Sequence, residues 1–251
     1  MTTEQSGFLR RIEDLSERCE RQSVVAATGF LTPAEQFTLH AWAERRTEAG
    51  LFLSGGQEGC ERQRAFFLPY WLTPEDLDLG EHIRAIRADA FFGEPGHRDY
   101  LGAVLGLGIQ REWIGDIRVF GASAYLFCLP SVEALLLDEL GKVGRVSVRT
   151  ASVSLEDVPA PERQVKKVSF TVKSLRLDAV TSSLFGLSRT QAADLIRMGA
   201  ASLNYASCER TDAPVKEGDV ISLRGRGKGV LTAVGGRSRK DRLFVEAEIL
   251  L

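Results

Sequence analysis

The chain has 251 residues, 44% of them hydrophobic and 26% charged, a composition that folds and leaves room for two or three small domains. No apolar run approaches the roughly 18 residues that a membrane helix needs, and the polar N-terminus lacks a signal peptide's apolar stretch, so a cytoplasmic protein is expected. The net charge of −2 is unevenly shared: residues 160–251 hold 16 Lys+Arg against 10 Asp+Glu, and residues 1–159 hold 16 against 24. A basic end on an acidic body suits a module that docks on a polyanion.

The first segment runs from residue 1 to 78. Between Phe8 and Val24, Leu9, Ile12, Leu15 and Cys19 recur at helical spacing. Thr32-Pro-Ala-Glu35 is a capping box with Pro at the first helical position, and it opens a second helix that is expected to end near Gly50. Leu51–Gly56 and Arg64–Tyr70 read as two strands around a Gly-rich turn.

Residues 79–158 form the second segment. Ile83–Phe91 suits a strand, and His97–Leu107 a helix with Tyr100, Leu101, Val104 and Leu105 on one face. Gly115–Phe120 and Ser123–Cys128 read as strands joined at Gly121-Ala122. Ser131 is placed to cap a helix through Val132, Leu135, Leu136 and Leu140, and Val143–Val153 closes with a strand. The order β-α-β-β-α-β is the split βαβ, ferredoxin-like arrangement. Tyr125 and Phe127 share one strand face, where core packing is the commoner use and base stacking the rarer one.

Glu156–Pro161, with two prolines and two acids, reads as a linker to a third segment, residues 159–251. There Leu175, Leu177, Ala179 and Val180 support a short helix with Asp178 early in it. Ser188 and Gln191 form a capping box for a second helix that Gly199 ends. Ala201–Asn204 starts a strand, and Val215–Leu223 supplies a turn and another. A helix N-terminus offers free N–H groups to phosphate, and Arg189, one residue inside it, adds a fork able to grip a phosphate bidentately. Lys173, Arg176 and Arg197 extend the patch.

The stretch from about Phe170 to Arg224 resembles the S4-type (alpha-L) RNA-binding domain through Arg176-Leu-Asp178, Ser188-Arg189, Leu195-Ile196, Gly199, Leu203-Asn204 and Lys216-Glu-Gly-Asp219. Tyr205 stands where most such domains have glycine. That counts against a tight Asn-Gly hairpin turn and adds an exposed aromatic that could stack on a base. With Gly96-His-Arg-Asp-Tyr-Leu-Gly-Ala-Val-Leu-Gly-Leu-Gly-Ile-Gln-Arg-Glu-Trp-Ile-Gly-Asp-Ile117 as a second stretch, nearly the whole chain resembles the YlmH family of bacterial RNA-binding proteins. The resemblance implies a multidomain α+β fold: an N-terminal helical/mixed region, an RRM-like βαββαβ domain and a C-terminal S4-type αα-β domain. It also implies association with ribosomes, on the large subunit with tRNA during rescue of stalled translation.

The expected RNA-contacting residues are Lys173, Arg176, Ser188, Arg189, Thr190, Gln191, Ala193 and Arg197 on the helices, and Asn204, Tyr205, Arg224, Arg226 and Lys228 on the hairpins. Other patterns carry less. Arg176–Leu184 is similar to a pseudouridine-synthase motif, but Ser183 replaces its glycine and only 67 residues follow, so Asp178 reads as a helix-start cap or an arginine partner in place of a nucleophile. Gly225–Gly229 lacks P-loop spacing and reads more readily as a flexible hairpin tip than as a direct RNA contact, and Gly235–Arg242 reads as a solvated run placed to add phosphate contacts. Gly102, Gly106 and Gly108 suit close packing of a helix on a sheet. Cys19, Cys60, Cys128 and Cys208 are too dispersed for a metal site, and His97-Arg98-Asp99 has no nucleophile beside it. The expectation is therefore a monomeric, non-enzymatic protein that binds ribosomal RNA, tRNA or both, without metal, cofactor, membrane or small-molecule substrate. The alternative is an RNA-modifying enzyme targeted by the same module, with its active site in residues 1–158.

Overall fold

A computed structural model describes residues 3–44, 50–161, 165–238 and 240–250. The chain divides into two compact units, Met1–Pro161 and Glu162–Leu251. The second helix, expected to end near Gly50, ends at Ala43 with Glu44 as its C-cap, and Gly50 opens a strand; the Arg239 position of the basic run falls outside the described residues.

In the first unit, α1 (Thr3–Gln22) buries Phe8, Ile12, Ser16 and Cys19 at four- and three-residue steps, one helical face. It packs on a three-stranded antiparallel sheet of order β1-β3-β2: β1 (Ala26–Leu31), β2 (Gly50–Ser54) and β3 (Gln63–Leu68). Strand β1 was not expected, because Ala-Ala-Thr-Gly carries little strand propensity. Gly29 is there for a close approach: a Cβ would stand 2.7 Å from the Glu112 carbonyl oxygen. Between β1 and β2, α2 (Pro33–Ala43) starts at the expected Thr32–Glu35 capping box.

A five-stranded antiparallel sheet follows, of order β5-β6-β4-β8-β7. Its parts in chain order are β4 (Arg84–Ala90), α3 (His97–Gly106), β5 (Ile114–Phe120), β6 (Ser123–Cys128), α4 (Pro130–Glu139), β7 (Lys142–Val143) and β8 (Val146–Val153). Helices α3 and α4 cover one face over Ile86, Tyr100, Val104, Leu126 and Leu136. Leu105 and Leu135, expected on the buried faces, are 40% exposed. Ser131 is not the cap of α4. Leu129 is, because Pro130, with φ preset and no N–H to satisfy, starts the helix one residue earlier. Gly102 and Gly106 do not mediate close packing, since nothing lies within 4 Å of a Cβ there; Gly108, at φ +80°, ends α3 in the left-handed region.

The other face of this sheet meets the N-terminal sheet. Ala85, Tyr125 and Phe127 form one core with Phe30, Phe66, Ile83 and Val158. Phe127 is 0% and Tyr125 9% exposed, so core packing is their use. Glu156–Pro161 is no free linker at its start: Gln57 Nε2 donates to the Leu155 and Val158 carbonyls, and Arg118 to that of Pro159. Cys19, Cys60 and Cys128 are buried free thiols, and burial pushes Cys128 up to about 12.

The second unit is a six-stranded antiparallel sheet, β11-β10-β12-β13-β14-β9, with two helices on it. The elements are β9 (Val165–Val172), α5 (Leu177–Leu184), α6 (Arg189–Arg197), β10 (Ala201–Leu203), β11 (Ala206–Ser207), β12 (Val220–Leu223), β13 (Gly227–Arg237) and β14 (Leu243–Leu250). Gly225 and Arg226 form the β12–β13 hairpin turn, as expected of a tip, whereas Gly227–Gly229 and Gly235–Arg237 belong to strand β13, paired with β14 from Lys228↔Leu250 to Arg237↔Leu243. Gly229 lets that strand pass under α5, where a Cβ would stand 2.7 Å from Leu184 Cδ2.

Candidate nucleic-acid interface

The site is built around the start of two short helices. Asp178 lies in the first turn of α5, where its amide donates to the Thr211 carbonyl and its Oδ1 accepts the Ala179 N–H at 2.8 Å. Its side chain is 9% exposed. Onto it converge Arg176, the N-cap residue of α5, at 3.3 Å from Oδ1, and Arg189, the first residue of α6, with Nε and Nη2 each 3.0 Å from Oδ2. Burial alone pushes this carboxyl up, but the hydrogen bonds and charges of Arg189 and Arg176 outweigh it and hold the group below the usual carboxylate range.

The two arginines remain 43% and 57% exposed, so their guanidinium groups are fixed at one end and open to solvent at the other. The Nε/Nη2 edge of Arg189 is spent on Asp178, which corrects the expectation that this edge is free to fork onto a phosphate. What is left is the Nη1 side, held in place. Beside it, Ser188 accepts the Gln191 amide while Gln191 Oε1 accepts the Ser188 amide, which completes the expected capping box. Thr190 and Gln191 are exposed, whereas Ala193 is buried and serves packing. Arg197 sits in the last turn of α6, exposed and paired with Asp194 at 2.9 Å; Lys173 is exposed just after β9.

The sheet side carries a second group. Asn204 and Tyr205 both have positive φ (+51° and +67°) between the paired Leu203 and Ala206, so the two-residue hairpin turn forms without glycine. Asn204 stabilises it by donating to Asp219 Oδ1 and accepting from the Val220 amide, both at 2.9 Å. Asp219 is itself buried and accepts the Lys216 amide; the expected site set omits it, although it closes the Lys216–Asp219 motif. Tyr205 is half-buried rather than fully exposed, with Lys228 Nζ 5.7 Å from its ring centre. Arg224 and Arg226 are exposed in the β12–β13 turn. The structure thus joins Arg176 with Arg189 and Tyr205 with Lys228, and assigns Asn204 and Ala193 to holding the scaffold.

No group of three or more His, Cys, Asp or Glu suited to a metal ion, and no helix long and apolar enough to cross a membrane, occurs among the described residues.

Three likenesses bear on this arrangement. A family profile described as "Putative RNA-binding domain in YlmH" matches residues 74–157. The "Ribosome-associated protein quality control protein P2" of Bacillus subtilis (strain 168) is 31% identical over 245 residues, covering 98% of this chain and 95% of that protein. The solved structure "Cell division protein ylmH from Streptococcus pneumoniae" matches with a TM-score of 0.52 at 22% identity, over 63% of this chain and 97% of that one, a likeness of fold.

Proposed function

The chain belongs to the YlmH family, and on that premise we propose that it is an RNA-binding protein that works on the ribosome. The relative's name carries the ribosome association and the quality-control role, and the profile's description carries the RNA binding. The second unit is the S4-type grip and the five-stranded sheet with its two helices is the RRM-like domain, whose β5-β6-β4-β8 order and antiparallel pairing fit a split βαβ. The ligands are ribosomal RNA and tRNA of a stalled large subunit, and the protein acts in the cytoplasm by binding, without catalysis or cofactor, as a monomer.

The observation that carries this reading is the Asp178 clamp. Two arginines immobilised on one buried carboxylate, next to the capped N-terminus of α6, meet phosphate oxygens without the entropy cost of ordering long side chains. Arg189→Ala removes one of these contacts. Its affinity for a ribosomal RNA hairpin is expected to fall about tenfold, and the slope of log K against log salt to shrink by about 1. Unchanged affinity and slope in a folded variant would overturn the assignment.

A further inference from the structure

The five-stranded sheet is only half covered on its helix-free face. Across that face, strand pairing sets three rows. Phe127, Ala85 and Val153 make the first, which lies in the core shared with the N-terminal sheet. The second is Arg118, Tyr125, Arg87 and Ala151; the third is Phe120, Ser123, Asp89 and Arg149. Arg118 belongs to the covered end, buried against the Phe127 ring at 5.1 Å. From Arg87 and Ala151 onward the face lies open.

Phe91 prolongs this open part. Its amide donates to the Ser147 carbonyl at 3.1 Å, which continues the β4–β8 ladder by one step, and strand alternation puts its ring on the side of Arg87 and Asp89. It is 70% exposed, and Phe92 after it 61%. Phe120 packs edge-on against Tyr125 at 5.9 Å. Asp89 accepts from Ser123 Oγ at 2.5 Å and from Arg87 Nε at 2.9 Å, a solvent-exposed pair that leaves much of the Arg87 guanidinium open. Arg149, the strand partner of Asp89, is exposed, giving two arginines around one carboxylate on a unit that is acidic as a whole.

We infer that this open half-face, with Phe91 as stacking platform and Arg87 and Arg149 as phosphate partners, binds a single-stranded RNA segment. The inference rests on the RNA-binding reading and adds a second contact of different chemistry: stacking on unpaired bases, in place of phosphate recognition on a folded helix. An exposed aromatic ring near guanidinium groups suits a base and its phosphates. The exposed large hydrophobics at this strand end are Phe91 and Phe92 alone among the described residues, and the arginines around them, on an otherwise acidic unit, favour a polyanion as the occupant.

The test uses the full chain and two fluorescent probes, a short oligouridylate and a blunt ribosomal RNA hairpin without unpaired tails. Phe91→Leu keeps an apolar side chain and removes the ring; its oligouridylate affinity is expected to fall about tenfold, while Phe91→Tyr binds as wild type. Arg149→Glu weakens the same probe, and all three variants bind the hairpin normally. Wild-type oligouridylate binding by both Phe91→Leu and Arg149→Glu overturns the inference. It is also overturned if Phe91→Leu spares the oligouridylate yet loses binding to purified ribosomes, which would make the patch a protein contact. Arg189→Ala separates the two readings. Loss of hairpin binding there with oligouridylate binding intact supports both sites. An unaffected hairpin brings down the clamp and leaves the Phe91 result to stand alone.

Discussion

Asp178→Asn sets two effects against each other, and their signs differ. The substitution keeps the side chain's size and an oxygen for the Ala179 amide, and removes only the charge. Long-range electrostatics favours the variant, since a negative charge near the RNA is gone. At about 7 Å from a phosphate, with an effective dielectric of about 20–80 and physiological screening, that repulsion amounts to roughly 0.3–1 kcal/mol. The clamp argues the other way. Without the carboxylate, Arg176 and Arg189 lose their anchor, and ordering each on binding costs about 0.5–1.5 kcal/mol, or roughly 2 kcal/mol for the pair. The net of about 1–1.7 kcal/mol corresponds to binding weaker on the order of tenfold. Both guanidinium groups are half exposed, so the loss in folding stability is screened to about 1–2 kcal/mol. Fluorescence anisotropy with a ribosomal RNA hairpin over a salt series reads the first number and urea unfolding the second. A folded Asp178→Asn protein that binds as tightly as wild type, or more tightly, at every salt concentration refutes the clamp.

The same carboxylate gives a pH signature. Its folded value lies below the unfolded one, so its contribution is complete above the unfolded value of about 3.9 and is lost as pH falls through the lower folded value. The stability gap between wild type and Asp178→Asn is therefore expected to be constant from about pH 5 to 8 and to close in stronger acid, as urea titrations at stepped pH would show. Asn204→Ala removes two side-chain hydrogen bonds, leaves the buried Asp219 short of a donor and forces alanine into the left-handed region. A loss of about 3 kcal/mol in urea unfolding is expected. Gly29→Ala drives a Cβ to 2.7 Å from a backbone oxygen and should cost about 1–3 kcal/mol in thermal unfolding, with hairpin affinity unchanged.

What the sequence made legible was what local chemistry decides. The Thr32 and Ser188 capping boxes, the Gly199 helix stop at φ +70° and the amphipathic α1 stand where their residues put them. The order of elements in residues 79–158 was readable too, punctuated by turn residues such as Gly121 and Pro130, except that the one strand expected over Val143–Val153 is a hairpin, β7 and β8 turning at Gly144. Less legible was whatever depends on a distant partner. Strand β1 exists because β3 pairs with it, and β13 because β14 does, despite five glycines between 225 and 236 that argue for a loose tip. The alternation in Leu243–Leu250, with Val245, Ala247 and Ile249 inward, was a signal for β14 that the basic run before it obscured. For the site, the sequence offered Asp178 as a helix cap or an arginine partner; Arg176 reaches it locally, but the hold of Arg189 on it depends on the packing of α6 beside α5.

The covered half of the five-stranded sheet explains why residues before and after 78 behave as one compact unit. Phe30, Phe66 and Phe127 are each essentially inaccessible, and they come from β1, β3 and β6, which belong to the two different sheets. Burying each such ring contributes about 2–3 kcal/mol, so separating the sheets would expose apolar surface worth roughly 6–9 kcal/mol. Whole domains are stable by only about 5–15 kcal/mol, so the N-terminal sheet cannot lift away as a lid while the rest stays folded. The ring positions on the central strand, Tyr125 and Phe127, are therefore committed to the core at every stage of binding. Any base that stacks on this sheet has to do so at its far end, where Phe91 lies.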